Sequence, residues 1–291
     1  MNRPVTVAVI ASPGHSGQTW LSLLIGSHPA AVSLGEIDAL YGRQDVSRSC
    51  MLCGEGCDFW SAFNKVWSPE ENVFLQLADF SGARILSLSK VEKFRGQLLD
   101  GRINLKLIRL LRDGRAVTAS YARKYPTRQY DDIVKAWAHS ARENDRWILN
   151  VPTDDRIVVS YENLLDHTSA TMRYISSFLG IDYSDAMIEY WKVKHHIVDG
   201  NRGTLSFVQR YFGKESNPKD KAFYNSQDPS LFRDERWRQE LTPYQLQQFQ
   251  KIGGDMNAKY GYDEIDGIRN LADVAGACLQ GAYRRARKKT V

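Results

Sequence analysis

The sequence predicts an α/β protein with a central parallel sheet that is covered by helices on both faces. An apolar run at residues 5–11 is followed by a glycine-containing loop and then by an apolar segment at residues 20–25, which is the order of strand, loop and helix. Strand-like and helical segments then alternate along the chain, as they do around parallel sheets. With 43% hydrophobic and 25% charged residues, the 291-residue chain has a globular composition and enough length for a sizeable core.

The individual elements follow from local patterns. Short apolar runs predict strands at residues 5–11, 31–37, 84–88, 105–111 and 156–161. Apolar residues three or four positions apart predict helices at residues 19–27, 115–123, 131–149, 169–179 and 244–259. Residues 200–235 are rich in Gly, Asn, Lys, Asp and Pro with interleaved aromatic residues, which predicts a long irregular lid or binding loop over an amphipathic acceptor.

The chain is predicted to form one domain over residues 1–265, followed by a basic helix or tail over residues 266–291. Five basic residues among the last eight account for the whole net charge of +5, which argues against a broad nucleic-acid-binding face. No apolar stretch reaches the roughly 18 residues of a membrane helix. No signal-peptide pattern is recognised, so the expected location is the cytoplasm, with at most a weak membrane-surface contact of the tail.

The loop from Pro13 to Leu21, P-G-H-S-G-Q-T-W-L, is the most informative segment of the chain. A junction from strand through glycine loop to helix directs several backbone N–H groups and the positive end of the helix at one point, which suits a phosphate. The loop lacks the G-K-[ST] ending of the P-loop of nucleoside triphosphatases. The sequence therefore predicts a P-loop-like phosphate site without the lysine of those enzymes.

Two later segments extend this pattern. Residues 110–120 read L-L-R-D-G-R-A-V-T-A-S, and residues 158–164 read V-V-S-Y-E-N-L. Together with the loop they resemble the sulfotransferase superfamily, enzymes that use 3′-phosphoadenosine 5′-phosphosulfate (PAPS) and whose signatures read P-[KR]-S-G-T-T-W-L and R-D-P-R-A-V-x-x-S. Residues 27–36, 57–60, 200–202, 236–241 and 259–262 are similar to a bacterial branch with a G-H-S-G-S-T loop, so the resemblance covers roughly residues 5–262.

The resemblance implies the sulfotransferase fold, PAPS as co-substrate, 3′,5′-bisphosphate (PAP) as product and no required metal. Carried onto this chain, it places the donor on Gly14, His15, Ser16, Gly17, Gln18, Thr19, Trp20, Arg112, Ser120, Tyr161 and Arg202. Tyr161 either contacts the adenine or closes a strand end. Three positions depart from the family pattern, namely Gly14, Gln18 and Gly114, the last of which replaces a proline.

His15 stands where the family usually has Lys or Arg. The predicted role of its imidazole is to stabilise the leaving bisphosphate. This role would make the rate sensitive to pH near the pKa of the imidazole.

Glu36 is the candidate general base, because it ends the predicted second strand at the carboxyl edge of the sheet, where such folds bind ligands. Its alternative role is that of a capping or surface acid. The predicted reaction moves a sulfuryl group to a hydroxyl, or less readily an amine, of a small molecule, natural product or glycan. The alternatives are a P-loop kinase of nucleosides or small molecules and a nucleotide-binding module without catalysis.

Cys50, Cys53 and Cys57 have spacings close to those of metal ligands, but the sequence offers no fourth ligand nearby. The adopted interpretation is reduced thiols packed under neighbouring aromatic residues, with no metal. A zinc site would need Cys278 or a distant histidine, and a disulfide is the other alternative under oxidising conditions. Lys90, after the third strand, either faces the acceptor or is solvated.

Overall fold

Five parallel strands form the sheet in the computed structural model, which describes residues 4–215, 221–230 and 233–262. The strands are β1 (Val5–Ala11), β2 (Ala31–Glu36), β3 (Ile85–Ser89), β4 (Ile103–Leu111) and β5 (Arg156–Ser160), and their order across the sheet is β2-β3-β1-β4-β5. Every neighbouring pair is parallel. The predicted α/β class and parallel sheet are confirmed. The observed strand bounds differ from the predicted ones by at most two residues, the largest difference being the start of β4 at Ile103 rather than at residue 105.

Helices flank this sheet. Within the described ranges they are α1 (Gln18–Gly26), α2 (Asp58–Phe63), α3 (Val73–Ser81), α4 (Gly114–Lys124), α5 (Tyr130–Leu149), α6 (Tyr161–Asp166), α7 (Thr168–Leu179), α8 (Arg202–Tyr211), α9 (Lys221–Asn225), α10 (Trp237–Glu240) and α11 (Pro243–Lys259). The α7 helix ends at Gly180 in the left-handed conformation, with φ 68°. None of the helices in these ranges is long and apolar enough to cross a membrane.

The central strand β1 explains why the sequence begins with a continuous apolar run. Val7, Ala8 and Val9 are fully buried, as expected for a parallel strand that is covered on both faces. The chain runs from β1 to β2 on one side of the sheet and from β4 to β5 on the other side. The direction of the connections therefore switches between the neighbouring strands β1 and β4. In open α/β sheets this switch point is where ligands bind, at the carboxyl ends of the strands.

The prediction of an irregular segment over residues 200–235 is wrong for α8. Asn201 caps this helix by accepting the N–H of Thr204 at 2.9 Å, and Leu205 and Val208 are buried in the core. The polar composition concealed a helix whose apolar side faces inward. The predicted helix or tail at residues 266–291 lies outside the described residues, and the domain boundary at residue 265 stays a prediction.

Candidate active site

Each of the five strands delivers a residue to one cleft of about 170 Å³ at the carboxyl edge of the sheet. The loop after β1 forms its floor, and Glu36 is the last residue of β2. Lys90, Arg112 and Tyr161 are the first residues after β3, β4 and β5. The cleft is therefore a product of strand order, because parallel strands end at a common edge.

Gly17 shapes the loop at the start of α1. It caps the helix with φ 97°, and a Cβ at this position would lie 2.6 Å from Cδ2 of Tyr161. Only glycine satisfies both the left-handed backbone and this close approach. The N–H groups of the first helical turn have no acceptor within the helix, so they are available to an anion at the cleft.

Gln18 occupies the position of the lysine in a nucleoside-triphosphatase P-loop, between Gly17 and Thr19. Its side-chain amide donates to the carbonyl oxygens of Ile10 at 3.0 Å and Ser12 at 3.1 Å. The side chain is thus committed to the end of β1. The loop has the shape of a phosphate site but no cation at the position that contacts β- and γ-phosphates in those enzymes.

His15 lies in the loop with a positive φ of 67°. Its Nδ1 is 2.8 Å from the hydroxyl of Ser120, and its ring contacts that of Tyr121 with centroids 4.2 Å apart. Burial, together with the nearby cations Lys124 and Arg112, lowers the pKa of His15 to about 3. The imidazole is therefore neutral at neutral pH in the ligand-free protein, in contrast to the titration near its ordinary pKa that the sequence suggested.

Arg112 is buried at the end of β4 and spans the cleft. It donates to the carbonyl of His15 at 2.9 Å and to that of Asp234 at 3.1 Å, and its guanidinium lies 4.2 Å from the centre of the Tyr161 ring. Two buried donors, Nε of Arg112 and the indole N–H of Trp20, find no acceptor among the described residues. Such orphaned donors in a cleft indicate where a polar ligand binds.

Glu36 and Lys90 form an ion pair on the opposite side of the cleft, with Nζ 3.1 Å from Oε2. Lys90 has a positive φ of 52°, which turns its side chain back toward β2. Burial acts to lower the pKa of Lys90, but the Glu36 carboxylate outweighs it and the net pKa is raised. Lys90 thus lines the cleft, with 39% of its side chain exposed.

Gly114, which replaces the proline of the family pattern, is explained by packing. A Cβ at this position would lie 2.3 Å from the Trp137 ring. The N–H of Gly114 also donates to Oδ1 of Asn257 at 2.7 Å, and proline has no N–H to donate. A proline at this position would clash with the Trp137 ring and would lose the hydrogen bond to Asn257.

The K-Y-G-Y segment at residues 259–262 forms hydrogen bonds around the carboxyl end of β4. The hydroxyl of Tyr262 donates to Glu162, whose other carboxylate oxygen accepts the N–H of Asp113 at 3.1 Å. Tyr260 donates to Asp145 at 2.8 Å and accepts from Arg109 at the same distance. Tyr262 and Glu162 therefore hold Asp113, the residue that follows Arg112.

Most of the sequence-predicted site residues meet at the cleft. Its lining includes Gly14, His15, Gly17, Gln18, Thr19, Trp20, Glu36, Arg112, Ser120 and Tyr161. Ser16 and Arg202 are the two predicted residues that do not line the cleft. Ser16 is buried within the loop, and Arg202 is exposed at the start of α8.

Sequence reasoning missed Tyr121, Lys124, Asn201, Tyr224 and Asp234, which also line the cleft. Lys124 was detectable, since it lies four residues after Ser120 on the same helix face. Asn201, Tyr224 and Asp234 lie within residues 200–235, for which the sequence predicted a lid or binding loop without identifying these three as site residues. Asn201 is fixed by its N–H, which donates to the Thr19 hydroxyl at 2.9 Å.

Residues 104–185 match a family model described as the sulfotransferase family. This segment runs from β4 through Arg112 and Tyr161 to the end of α7. A search of curated proteins finds no match to the chain.

Two solved structures share the fold. A sulfotransferase domain from the curacin biosynthetic pathway is 18% identical and covers 88% of this chain and 98% of its own, with a TM-score of 0.60. A sulfotransferase domain from the olefin synthase of Synechococcus PCC 7002 is 19% identical and covers 86% of this chain and 95% of its own, with a TM-score of 0.54. The chain therefore shares the fold of these two sulfotransferase domains. The bacterial branch suggested by the loop sequence stays a prediction.

Proposed function

We propose that this protein is a PAPS-dependent sulfotransferase that sulfates a hydroxyl, or less readily an amine, of a small molecule, natural product or glycan. The observation that carries the proposal is the cleft, where the start of α1 and the cations Arg112, Lys90 and Lys124 surround one space. Burial is the main cause of the lowered pKa of His15, and these same three cations also act to lower it. A site of this kind favours a ligand with several negative charges.

The residues of the cleft fit the two phosphate positions of PAPS. The N–H groups of the first turn of α1 suit the 5′-phosphosulfate. On the other side of the cleft, Nε of Arg112 lacks an acceptor among the described residues. His15 contacts both Arg112, through its carbonyl, and the Ser120 hydroxyl, through its ring. This arrangement of donors suits the 3′-phosphate. Tyr161 and Trp20 offer aromatic surface for the adenine, with ring centroids 5.7 Å apart. When bound, PAPS supplies an activated sulfuryl group.

Glu36 accepts the proton of the acceptor group in this proposal. Its carboxylate is held by Lys90 at the carboxyl edge of the sheet, and it faces the same cleft as the loop. A positioned carboxylate of this kind contributes roughly 10²- to 10⁴-fold to a proton transfer. Lys90 both orients Glu36 and adds positive charge beside the departing bisphosphate.

His15 serves as a neutral hydrogen-bond donor in this proposal. When the Ser120 hydroxyl donates to Nδ1, the proton of the imidazole resides on Nε2 and remains available to a phosphate or bridging oxygen. As expected from the sequence, the proposed transfer requires no metal ion. The proposed location remains the cytoplasm.

The kinase alternative is disfavoured by Gln18, whose side-chain amide is bonded to the backbone of β1 where a kinase of the P-loop type needs a cation. The non-catalytic alternative is disfavoured by the ion pair of Glu36 with Lys90, which orients a carboxylate at the cleft.

The experiment that tests the proposal is a product assay with PAPS and a panel of hydroxyl and amine acceptors, read by mass spectrometry together with release of PAP. Sulfated product from the wild type, and its loss in Glu36→Gln, support the proposal. Phosphorylated product with ATP and Mg²⁺ would establish the kinase instead. Tight PAP binding without transfer across the panel would favour the non-catalytic module.

A further inference from the structure

Three cysteines and one histidine form a cluster outside the cleft. The Sγ atoms of Cys50, Cys53 and Cys57 and a ring nitrogen of His196 all lie within 4.8 Å of one another. All three cysteines are free thiols, and His196 comes from a segment about 140 residues further along the chain. The fourth ligand that the sequence lacked is thus supplied by tertiary contact.

The separations suit a tetrahedral metal ion. The Nδ1 atom of His196 is 3.2 Å from Sγ of Cys57 and 3.8 Å from Sγ of Cys53. With Zn–S bonds of about 2.3 Å and Zn–N bonds of about 2.0 Å, tetrahedral geometry places ligand atoms roughly 3.5–3.8 Å apart. The cluster therefore needs movements of about 1 Å or less to enclose zinc. A sulfur-rich tetrahedral set of this kind favours zinc over magnesium or calcium.

The backbone around Cys50 also prepares a thiolate ligand. The N–H of Cys53 donates to Sγ of Cys50 at 3.3 Å, and the N–H of Gly54 donates to the Cys50 carbonyl at 3.1 Å. Gly54 adopts a left-handed φ of 72°, which turns the chain immediately after the second cysteine. Burial raises the pKa of Cys50, and the N–H of Cys53 acts in the opposite direction, toward the thiolate that binds metal.

His196 is held in place by two aromatic residues. The Phe59 ring stacks on its imidazole with centroids 4.8 Å apart and planes within 7°. The indole N–H of Trp60 donates to the His196 carbonyl at 3.0 Å. Groups that orient a ligating histidine in this way are a usual part of a metal site. Phe59 and Trp60, beneath which the thiols were predicted to pack, therefore also position the histidine of the cluster.

The cluster is connected to the cleft by a short stretch of chain. From His196 the chain runs to Asp199, whose carbonyl accepts the N–H of Glu36 at 2.9 Å, and then to Asn201 at the cleft. The loop that carries the cysteines also contacts this stretch, since the N–H of Met51 donates to the Ile197 carbonyl at 2.7 Å. A bound ion would join this loop to a wall of the cleft.

We propose that Cys50, Cys53, Cys57 and His196 bind a structural zinc ion, which fastens the loop at residues 50–57 to the segment at residues 196–201. The ion has four protein ligands and no open position, so its role is to hold the fold rather than to take part in chemistry. This revises the expectation of packed thiols without metal. The proposal concerns metal content, so it stands or falls separately from sulfuryl transfer.

The test is elemental analysis of the full chain, purified under reducing conditions without chelator. We expect about one zinc per chain in the wild type, and a loss of at least fivefold in Cys57→Ser and His196→Asn. The matched controls are Cys278→Ser, at a cysteine outside the described residues, and His139→Asn, at an exposed histidine of α5, and both retain the wild-type zinc content.

A second measurement on the wild type removes any dependence on variants that fold poorly. Cobalt added to the zinc-free chain is expected to give the visible bands of tetrahedral thiolate-bound Co²⁺, and zinc is expected to abolish them. Zinc is also expected to protect three thiols from alkylation until a chelator is added. Absence of bound zinc with no cobalt bands, iron in place of zinc, or a disulfide among the three cysteines in the reduced protein would each overturn the proposal.

Discussion

Replacing Arg112 by lysine tests the donor site at the residue that most directly joins fold and ligand. Lysine keeps the positive charge but loses the planar fork, the contact with the Tyr161 ring and the unpartnered Nε. A hydrogen bond to a charged group contributes about 1.5–3 kcal/mol, so removal of one contact to the 3′-phosphate should weaken PAP binding roughly 10- to 150-fold. Isothermal titration calorimetry with PAP measures this change directly.

Arg109, three residues earlier on β4, provides the matched control. It is buried as well, but its guanidinium is fully occupied by Asp145 at 3.1 Å, Tyr260 at 2.8 Å and backbone carbonyls. Arg109→Lys should lower the melting temperature while leaving the affinity of the folded protein for PAP within about threefold, since it removes partners away from the cleft. Wild-type PAP affinity in a folded Arg112→Lys variant, or an equal loss in both variants, would refute the reasoning.

Three further predictions concern the loop and the base. Gly17→Ala should abolish measurable PAP binding, because the left-handed φ and the Tyr161 contact both oppose a Cβ. Gly42→Ala, with φ 72° and open space around it, should reduce the free energy of unfolding by only about 1–2 kcal/mol. Equal PAP affinities by calorimetry and equal melting temperatures of the two variants would contradict this. The imidazole of His15 should titrate by NMR far below 6.5 in the free protein and shift upward when PAP binds, and a free-protein midpoint near 6.5 would count against the cationic cleft. Since its folded-state pKa lies below the unfolded value, the unfolded state binds more protons between pH 6.5 and about 3, and His15 reduces stability as the pH falls through that window. Glu36→Gln should lower kcat by about 10²- to 10⁴-fold with PAP affinity changed only a few-fold, whereas Glu143→Gln on the exposed face of α5 should match the wild type in a turnover assay, and full activity of Glu36→Gln would remove this residue from the role of base.

The sequence predicted the parts of this protein that are local in the chain. The strand β1, its loop and the start of α1 are contiguous, so the pattern of residues alone predicted this strand–loop–helix junction, at which a phosphate is expected to bind. Glu36 was selected because it ends a recognisable strand and all parallel strands end at one edge. Arg112 was selected through the resemblance of residues 110–120 to the sulfotransferase signature.

Contacts between distant segments were beyond the sequence. The pairing of Lys90 with Glu36 depends on β3 lying beside β2, and His196 reaches the cysteines only through the folded chain. The lowered pKa of His15 was beyond the sequence for the same reason, because it results from burial in the folded chain and, to a lesser extent, from Lys124 and Arg112. The helix α8 was missed because its buried residues include Gly203, Thr204 and Ser206 and its surroundings are rich in polar and loop-forming residues.

We propose that the cleft binds the bisphosphate of PAPS rather than a nucleoside triphosphate. Calorimetric titration of the wild-type chain with PAP, and separately with ATP and Mg²⁺, tests this claim most directly. The charges at the cleft and the bonded side chain of Gln18 predict that PAP binds at least tenfold more tightly, a difference of about 1.4 kcal/mol. Tighter binding of ATP with Mg²⁺ would contradict the claim.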